Sequence, residues 1–232
     1  MTAGGPILVI DTAGTRAVVA LGRADGTLLA ERSWIAGYRH GEELLANVVT
    51  LLGEAAVEPA ALGGIVVGTC PGAFTGLRVG IATAKGLAHA LGLPIAGVAT
   101  SSALIAAAAA DGGVDRGTVA LLAPAGPSDR VLARVGEVPL ILPGGTEPAL
   151  PAGITLVAVD LDGRAPADAL ARGEAARTGL GAALLAAGAP RLATGDADDL
   201  ARLAPEYVTL PRGVRAQAPD GGVELSGGSS RP

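Results

Sequence analysis

Two stretches of this sequence carry side chains arranged for chemistry. The first is Asp11-Thr-Ala-Gly14-Thr15, a carboxylate at the end of a β-branched run followed by a glycine-bearing turn. Backbone N–H groups in such a turn can cradle a phosphate, and the aspartate can hold a metal-bound water. The same residues also make an ordinary hairpin in which Asp11 bonds its own turn. Motifs this short are weak signals, so the pattern alone favours the hairpin, with Asp11, Gly14 and Thr15 as candidates for a vestigial phosphate loop. The nearest second turn of this kind, Asp160-Leu-Asp162-Gly163, lacks the threonine.

The second stretch is Val67-Gly-Thr-Cys70-Pro-Gly-Ala-Phe74-Thr-Gly-Leu-Arg78-Val-Gly80, continuing to Lys85 and Ala88. Gly76, Gly80, Ala84 and Ala88 recur every four residues, and Ala82, Gly86 and Ala90 do the same one stripe over. An interior helical glycine costs about 1 kcal/mol against alanine, which close approach of a neighbouring backbone can offset. That neighbour is the chain's own sheet, a helix of another chain, or one for each stripe. Nucleophiles and metal ligands are scarce. Cys70 precedes a proline with no histidine nearby, which reads as a buried inert thiol. His40 and His89 are the only histidines, and no His-x-x-x-His, GxxxxGK[ST] or GxSxG motif occurs. The sequence therefore assigns no catalytic residue, no metal and no cofactor.

The elements that position these residues follow from hydrophobic periodicity. Residues 7–10, 17–21 and 27–34 read as three strands joined by short turns, an antiparallel meander. Apolar residues at 44, 45, 48, 51, 52 and 55 have helical spacing and predict a helix over 42–56. A strand at 65–67, a small-residue helix over 75–91 stopped by Gly92-Leu-Pro94, a strand at 95–98 and an alanine-rich helix to 110, capped from Thr100-Ser-Ser102, complete the order βββαβαβα. That order is a mixed sheet with helices packed on it. A polar, glycine-rich break at 111–117 follows. Beyond it, strands are predicted at 118–123, 130–135, 140–142 and 154–159, and one helix over 175–187. The expected domains are 1–112, a shorter and degraded α/β lobe over 113–212, and a disordered tail over 213–232.

Composition narrows the class. The chain has 232 residues, of which 50% are hydrophobic and 17% charged, with a net charge of -5. That suits a packed core and argues against a chain that grips nucleic acid alone. The longest apolar run, residues 103–110, is too short to span a bilayer, and no basic segment precedes a hydrophobic stretch at the start, so a soluble cytoplasmic protein is expected. A single cysteine excludes an internal disulfide. Lys85 is the only lysine against 16 arginines, and aromatics are 2%, the drift of a GC-rich genome.

The βββαβαβα order with an Asp-x-x-Gly-Thr turn resembles the actin/sugar-kinase ATPase superfamily, which implies a ribonuclease H-like fold. The segment Cys70-Pro-Gly-Ala-Phe-Thr-Gly-Leu-Arg-Val-Gly80, with Ala84-Lys-Gly-Leu-Ala88 and Leu91-Gly-Leu-Pro-Ile95, is similar to the signature of the TsaB (YeaZ) family. His40-Gly-Glu-Glu-Leu-Leu45 and Pro205-Glu-Tyr-Val208 are similar to two further family stretches. The match is specific over residues 7–105. Cys70 and Ala73 stand where the family has Gly and Ser, and Ala123-Pro-Ala-Gly-Pro-Ser-Asp-Arg130 stands where it commonly carries Asp-Ala-Arg. The paralogous TsaD transferases carry a His-x-x-x-His pair after the strand matching 95–98; here that region is Ala99-Thr-Ser-Ser-Ala103.

The resemblance implies a non-catalytic scaffold or activator in the complex that makes threonylcarbamoyladenosine beside the tRNA anticodon. Its implied partners are a TsaD-like transferase and a TsaE-like ATPase, with tRNA met only through the complex and no membrane contact. It also implies a four-helix interface built from the first two helices, which the free protein would use for a homodimer. The residues expected there are Leu44, Leu45, Val48 and Leu52 of the first helix and Phe74, Arg78, Gly80, Ile81, Ala84 and Lys85 of the second. The competing readings are an ATP-dependent kinase-like or transferase enzyme of the same superfamily and a glycoprotease-type peptidase.

Overall fold

The computed structural model describes residues 4–37, 39–70 and 74–206. The expected tail over 213–232 lies outside them, as do Tyr207 and Val208 of the C-terminal motif.

Strands β1 (Ile7–Asp11), β2 (Arg16–Gly22) and β3 (Leu28–Ile35) form the expected meander. After α1 (His40–Glu54), strand β4 (Gly64–Gly68) joins the open side of β1 in parallel. Helix α2 (Phe74–Leu91) then leads to β5 (Ile95–Val98), giving a sheet of order β3-β2-β1-β4-β5. After α3 (Thr100–Gly112), strands β6 (Val119–Pro124), β7 (Arg130–Arg134), β8 (Leu140–Leu142) and β9 (Thr155–Ala158) make a second sheet, β8-β7-β6-β9. It repeats the first four positions of the first sheet, with β6–β7 and β7–β8 antiparallel and β6–β9 parallel. Where the first sheet has α1 between its third and fourth strands, the second has an irregular connection.

The chain ends differently from its predicted pattern. A single helix over 175–187 is expected; the structure has α4 (Ala167–Thr178) and α5 (Leu180–Ala193), divided at Gly179. Periodicity misses the division because both helices are rich in small residues. A Cβ at Gly179 would meet Ala107 of α3 at 3.2 Å, and one at Gly173 would lie 1.8 Å from the Ala158 carbonyl oxygen. Close packing, not an apolar stripe, defines these helices.

Helix α5 returns to the first sheet and contacts β1, β2, β4 and β5 on the face opposite α1 and α2. The strands are therefore covered on both sides, which is why they read as continuous apolar runs. On one face Leu8, Ile10, Val19, Leu21, Ile65 and Val67 pack with Leu44, Val48, Leu51, Leu52 and Ile81 of α1 and α2. On the other, Ile7, Val9, Val18 and Val66 meet Leu184, Leu185 and Ala189 of α5, Ala103 and Leu104 of α3, and Val119, Leu121, Val131 and Val157 of the second sheet. This shared core joins the two sheets.

The two stripes of α2 face opposite ways. Gly76, Gly80, Ala84 and Ala88 are buried, whereas Ala82, Gly86 and Ala90 are exposed. A Cβ on Gly80 would lie 2.2 Å from Thr12 Oγ1, while one on Gly86 would meet nothing within 4 Å. Gly80→Ala is expected to destabilise the protein by about 1–3 kcal/mol through overpacking. Gly86→Ala is expected to stabilise it by up to about 1 kcal/mol through helix propensity. Urea unfolding of the two variants checks the opposed signs.

Glu31 of β3 points toward α5, and its Oε2, 2.1 Å from where a Cβ on Gly181 would sit, makes no hydrogen bond. Burial raises its pKa. The native state thus holds this proton more tightly than the unfolded chain, and the stability it gives below the ordinary glutamate pKa is lost as pH rises through the folded value. Glu31→Gln is expected to raise the melting temperature at pH 7.5 and leave it nearly unchanged near pH 4. An equal shift at both pH values contradicts the assignment.

Candidate functional site at the Asp11 turn

Asp11 closes β1 beside β4, where Gly68 leaves room for its carboxylate: a Cβ there would lie 1.9 Å from Asp11 Oδ2. The side chain is buried. Its Oδ1 accepts from the Ala13 N–H at 3.0 Å, and its Oδ2 accepts from Thr100 Oγ1 at 2.7 Å. Desolvation pushes the Asp11 pKa up, against the lowering effect of those two bonds and of the Arg177 and His40 charges. Thr12 Oγ1 donates to the Gly76 carbonyl at 2.7 Å, tying the turn to the start of α2. His40, buried at the start of α1, places Nε2 at 3.0 Å from the Gly14 carbonyl oxygen, a contact that requires the Nε2–H to donate.

Besides the Ala13 N–H held by Asp11, both donors of Thr15 are already engaged. Asp160, just after β9, places Oδ2 at 3.2 Å from the Thr15 N–H, and its Oδ1 accepts from the Thr15 hydroxyl. Arg177 of α4 lies 2.7 Å from the same Oδ1, and both side chains are nearly buried, at 13% and 7% exposure for Asp160 and Arg177. Asp160 has φ +53, the left-handed region that a non-glycine residue rarely adopts. A Cβ on Gly14 would lie 2.6 Å from Asp160 Oδ2, so the glycine lets the carboxylate enter. Chemically, the second sheet supplies a carboxylate to the donors that an open loop would turn toward a phosphate.

The structure places Asp11, Gly14 and Thr15 in one turn and sets Thr100, Asp160, Arg177 and His40 around it. Thr100 is predicted to cap α3, but the cap position is Ala99 and the Thr100 hydroxyl binds Asp11 instead. Arg177 gave no signal in the sequence; Asp160 belonged to the incomplete second loop. Cys70 is buried, its thiol 3.4 Å from Glu206 Oε2. Desolvation, with the Glu206 charge, pushes its pKa up to about 12, so the thiol stays protonated and unreactive.

The residues predicted for a partner interface separate into two groups. Leu44, Val48, Leu52, Ile81, Ala84 and Gly80 lie in the core against the sheet and the Asp11 turn, because the widest part of the α1 stripe and the inner stripe of α2 are what cover β1, β2 and β4. Leu45 is 52% exposed and Arg78 is exposed. Lys85 is partly buried and donates to the Leu203 carbonyl at 3.0 Å and the Ala201 carbonyl at 3.5 Å, fastening α2 to the segment after α5. Phe74 opens α2; its side chain lies outside the described residues. The residues expected there leave out Val49, 62% exposed, and the outer stripe of α2, which the small-residue spacing offers only as one of two candidate contacts.

The paired sheets and the turn at the end of β1 define a ribonuclease H-like protein of the actin-type ATPase architecture. The solved structure of YeaZ from Pseudomonas aeruginosa has this fold, with TM-score 0.67 and 24% identity over 88% of this chain and 100% of that one. A family model described as TsaD, tRNA N6-adenosine threonylcarbamoyltransferase, matches residues 34–141. The tRNA threonylcarbamoyladenosine biosynthesis protein TsaB of Bacillus subtilis is 37% identical over 100 residues, 43% of this chain and 43% of that protein. An uncharacterized protein of Mycobacterium tuberculosis is 45% identical over 100 residues, 42% of this chain and 47% of that protein. Over that stretch the chain is similar to TsaB proteins, and its fold is that of YeaZ. The matched stretches span less than half the length of these curated relatives.

Removing the Asp160 carboxylate leaves Arg177 buried without its closest counter-charge. Asp160→Ala is expected to lower the unfolding free energy by about 3 kcal/mol, and Asp160→Ala combined with Arg177→Met to recover part of that loss. A double-mutant cycle by urea unfolding checks the coupling.

Proposed function

We propose that this chain acts in threonylcarbamoyladenosine formation on tRNA as a non-catalytic scaffold or activator that binds a TsaD-type transferase. The observation that carries the reading is the filled Asp11 turn: Thr15 and Arg177 are committed to Asp160, so the donors a nucleotide phosphate would need are spent within the chain. The kinase-like reading needs those donors free. The peptidase reading needs an activated nucleophile or a metal cluster; the Cys70 thiol is held protonated, and among the described residues no group of three His, Cys, Asp or Glu side chains is placed to hold a metal ion.

A scaffold needs a surface. Helices α1 and α2 contact each other, and their outward residues include Leu45, Val49, Ala82, Gly86 and Ala90, apolar or small and open to solvent. A related pair of helices can pack there with close backbone approach along the outer stripe. In this reading residues 1–112 are the lobe that meets the transferase, and residues 113–212 the lobe that closes the turn. A TsaE-like ATPase joins the assembly, tRNA is met through the complex, and the free protein pairs with itself through the same face. No helix among the described residues is long and apolar enough to cross a membrane, in keeping with a cytoplasmic role.

The test is co-purification with the TsaD-type paralogue. Val49→Glu and Ala82→Arg are expected to abolish association with the transferase and self-association alike, because each buries an unpaired charge, while far-UV circular dichroism stays unchanged. Folded variants that still bind the transferase contradict this interface.

A further inference from the structure

The outer face of the second sheet carries a cavity that the proposed function leaves unused. Its volume is about 370 Å³, and Ser128, Arg130, Gly145, Glu147, Arg164 and Pro166 line it. Arg130 opens β7 on the same face as Leu132, away from the core shared by the two sheets, since Val131 and Ala133 point into that core. Its side chain is buried, at 3% exposure, yet among the described residues no carboxylate lies within ion-pair distance of it. Only carbonyl oxygens meet its guanidinium: that of Arg164, at 2.7 Å, and that of Thr146. Arg164 is half-buried and likewise meets only carbonyl oxygens. It donates to the Pro127 carbonyl at 3.0 Å and the Asp160 carbonyl at 3.5 Å and pairs with no acid among the described residues.

Burying Arg130 without a counter-charge is costly, and the half-buried Arg164 beside the same cavity adds to the positive potential there. The carboxylates nearby do not cancel it. Asp129 accepts from the Gly144 N–H at 3.3 Å and the Ser128 hydroxyl at 3.2 Å, and Glu147 is exposed at the rim. Two guanidinium forks and one rim carboxylate leave the lining with a net positive charge. Arginine forks match the planar pairs of oxygens on a phosphate group. We propose that this cavity binds a phosphate-bearing small molecule, with Arg130 and Arg164 as the anion ligands and Glu147 tuning affinity from the rim. The site lies on the loop that also carries Asp160, so an occupant stiffens the segment holding the Asp11 turn.

The test uses inorganic phosphate on the full chain, followed by thermal unfolding and calorimetric titration at constant ionic strength, with sodium chloride as the control salt. The expected result is a saturable rise in melting temperature with phosphate that chloride does not produce. Arg164→Ala is expected to weaken phosphate binding at least tenfold, and Glu147→Gln to tighten it severalfold by removing a like charge. No saturable phosphate effect on the parent chain overturns the inference, as does an effect that Arg164→Ala leaves unchanged. Should Arg164→Ala fail to fold, Glu147→Gln decides: tighter binding supports the site, and equal or weaker binding overturns it.

Discussion

One carboxylate joins the two halves of this molecule at the place where its architecture would otherwise be open. Asp160 comes from just after the second sheet's last strand, in a left-handed backbone conformation uncommon outside glycine, asparagine and aspartate, and ends on the Thr15 N–H, the Thr15 hydroxyl and Arg177. A left-handed non-glycine residue costs about 1–2 kcal/mol and persists when the surroundings over-determine it. Here the surroundings do so twice. Nearly buried Arg177 requires a counter-charge, and the turn's donors require an acceptor. The same ion pair that relieves Arg177 also uses up the turn as an anion site, so one structural need closes off one chemical possibility.

The frame that permits this is the shared core. Helices α3 and α5 lie between the two sheets, and α5 crosses back to cover β1, β2, β4 and β5. The sheets are thus fixed relative to each other by burial on one side of each, and Asp160 meets Thr15 at a set distance. A second set of ties fastens the segment after α5 to the edge of the first sheet: Asp198 accepts from the Gly97 N–H at 2.6 Å, Arg191 bonds Asp198 and the Gly97 carbonyl, and Lys85 donates to the Leu203 carbonyl. With one face of the first sheet committed inward and the other covered by α1 and α2, the outer surface of those two helices is open to solvent, as are parts of β3.

The first half was legible because its elements obey simple periods. Strands covered on both faces read as short apolar runs, α1 shows a helical stripe, and Gly92 and Pro94 mark the end of α2. The small-residue stripes were visible too, but not their directions. Only the contacts of Gly76 and Gly80 with Thr12 show that one stripe is internal. The site was half legible. Asp11, Gly14 and Thr15 form a local motif that a sequence displays. Asp160 and Arg177 lie 145 and 162 residues beyond Thr15 and reach it only through the sheet pairing. Helices α4 and α5 failed as a prediction because glycine and alanine packing against Ala158 and Ala107, rather than a hydrophobic stripe, sets their course.

We propose that the Asp11 turn, closed from within by Asp160, holds no nucleotide. Calorimetric titration of the full chain with magnesium and ATP tests it most directly. The expected result is no saturable heat of binding and no ATP turnover. Saturable binding with micromolar affinity, lost on Asp11→Ala, would contradict it.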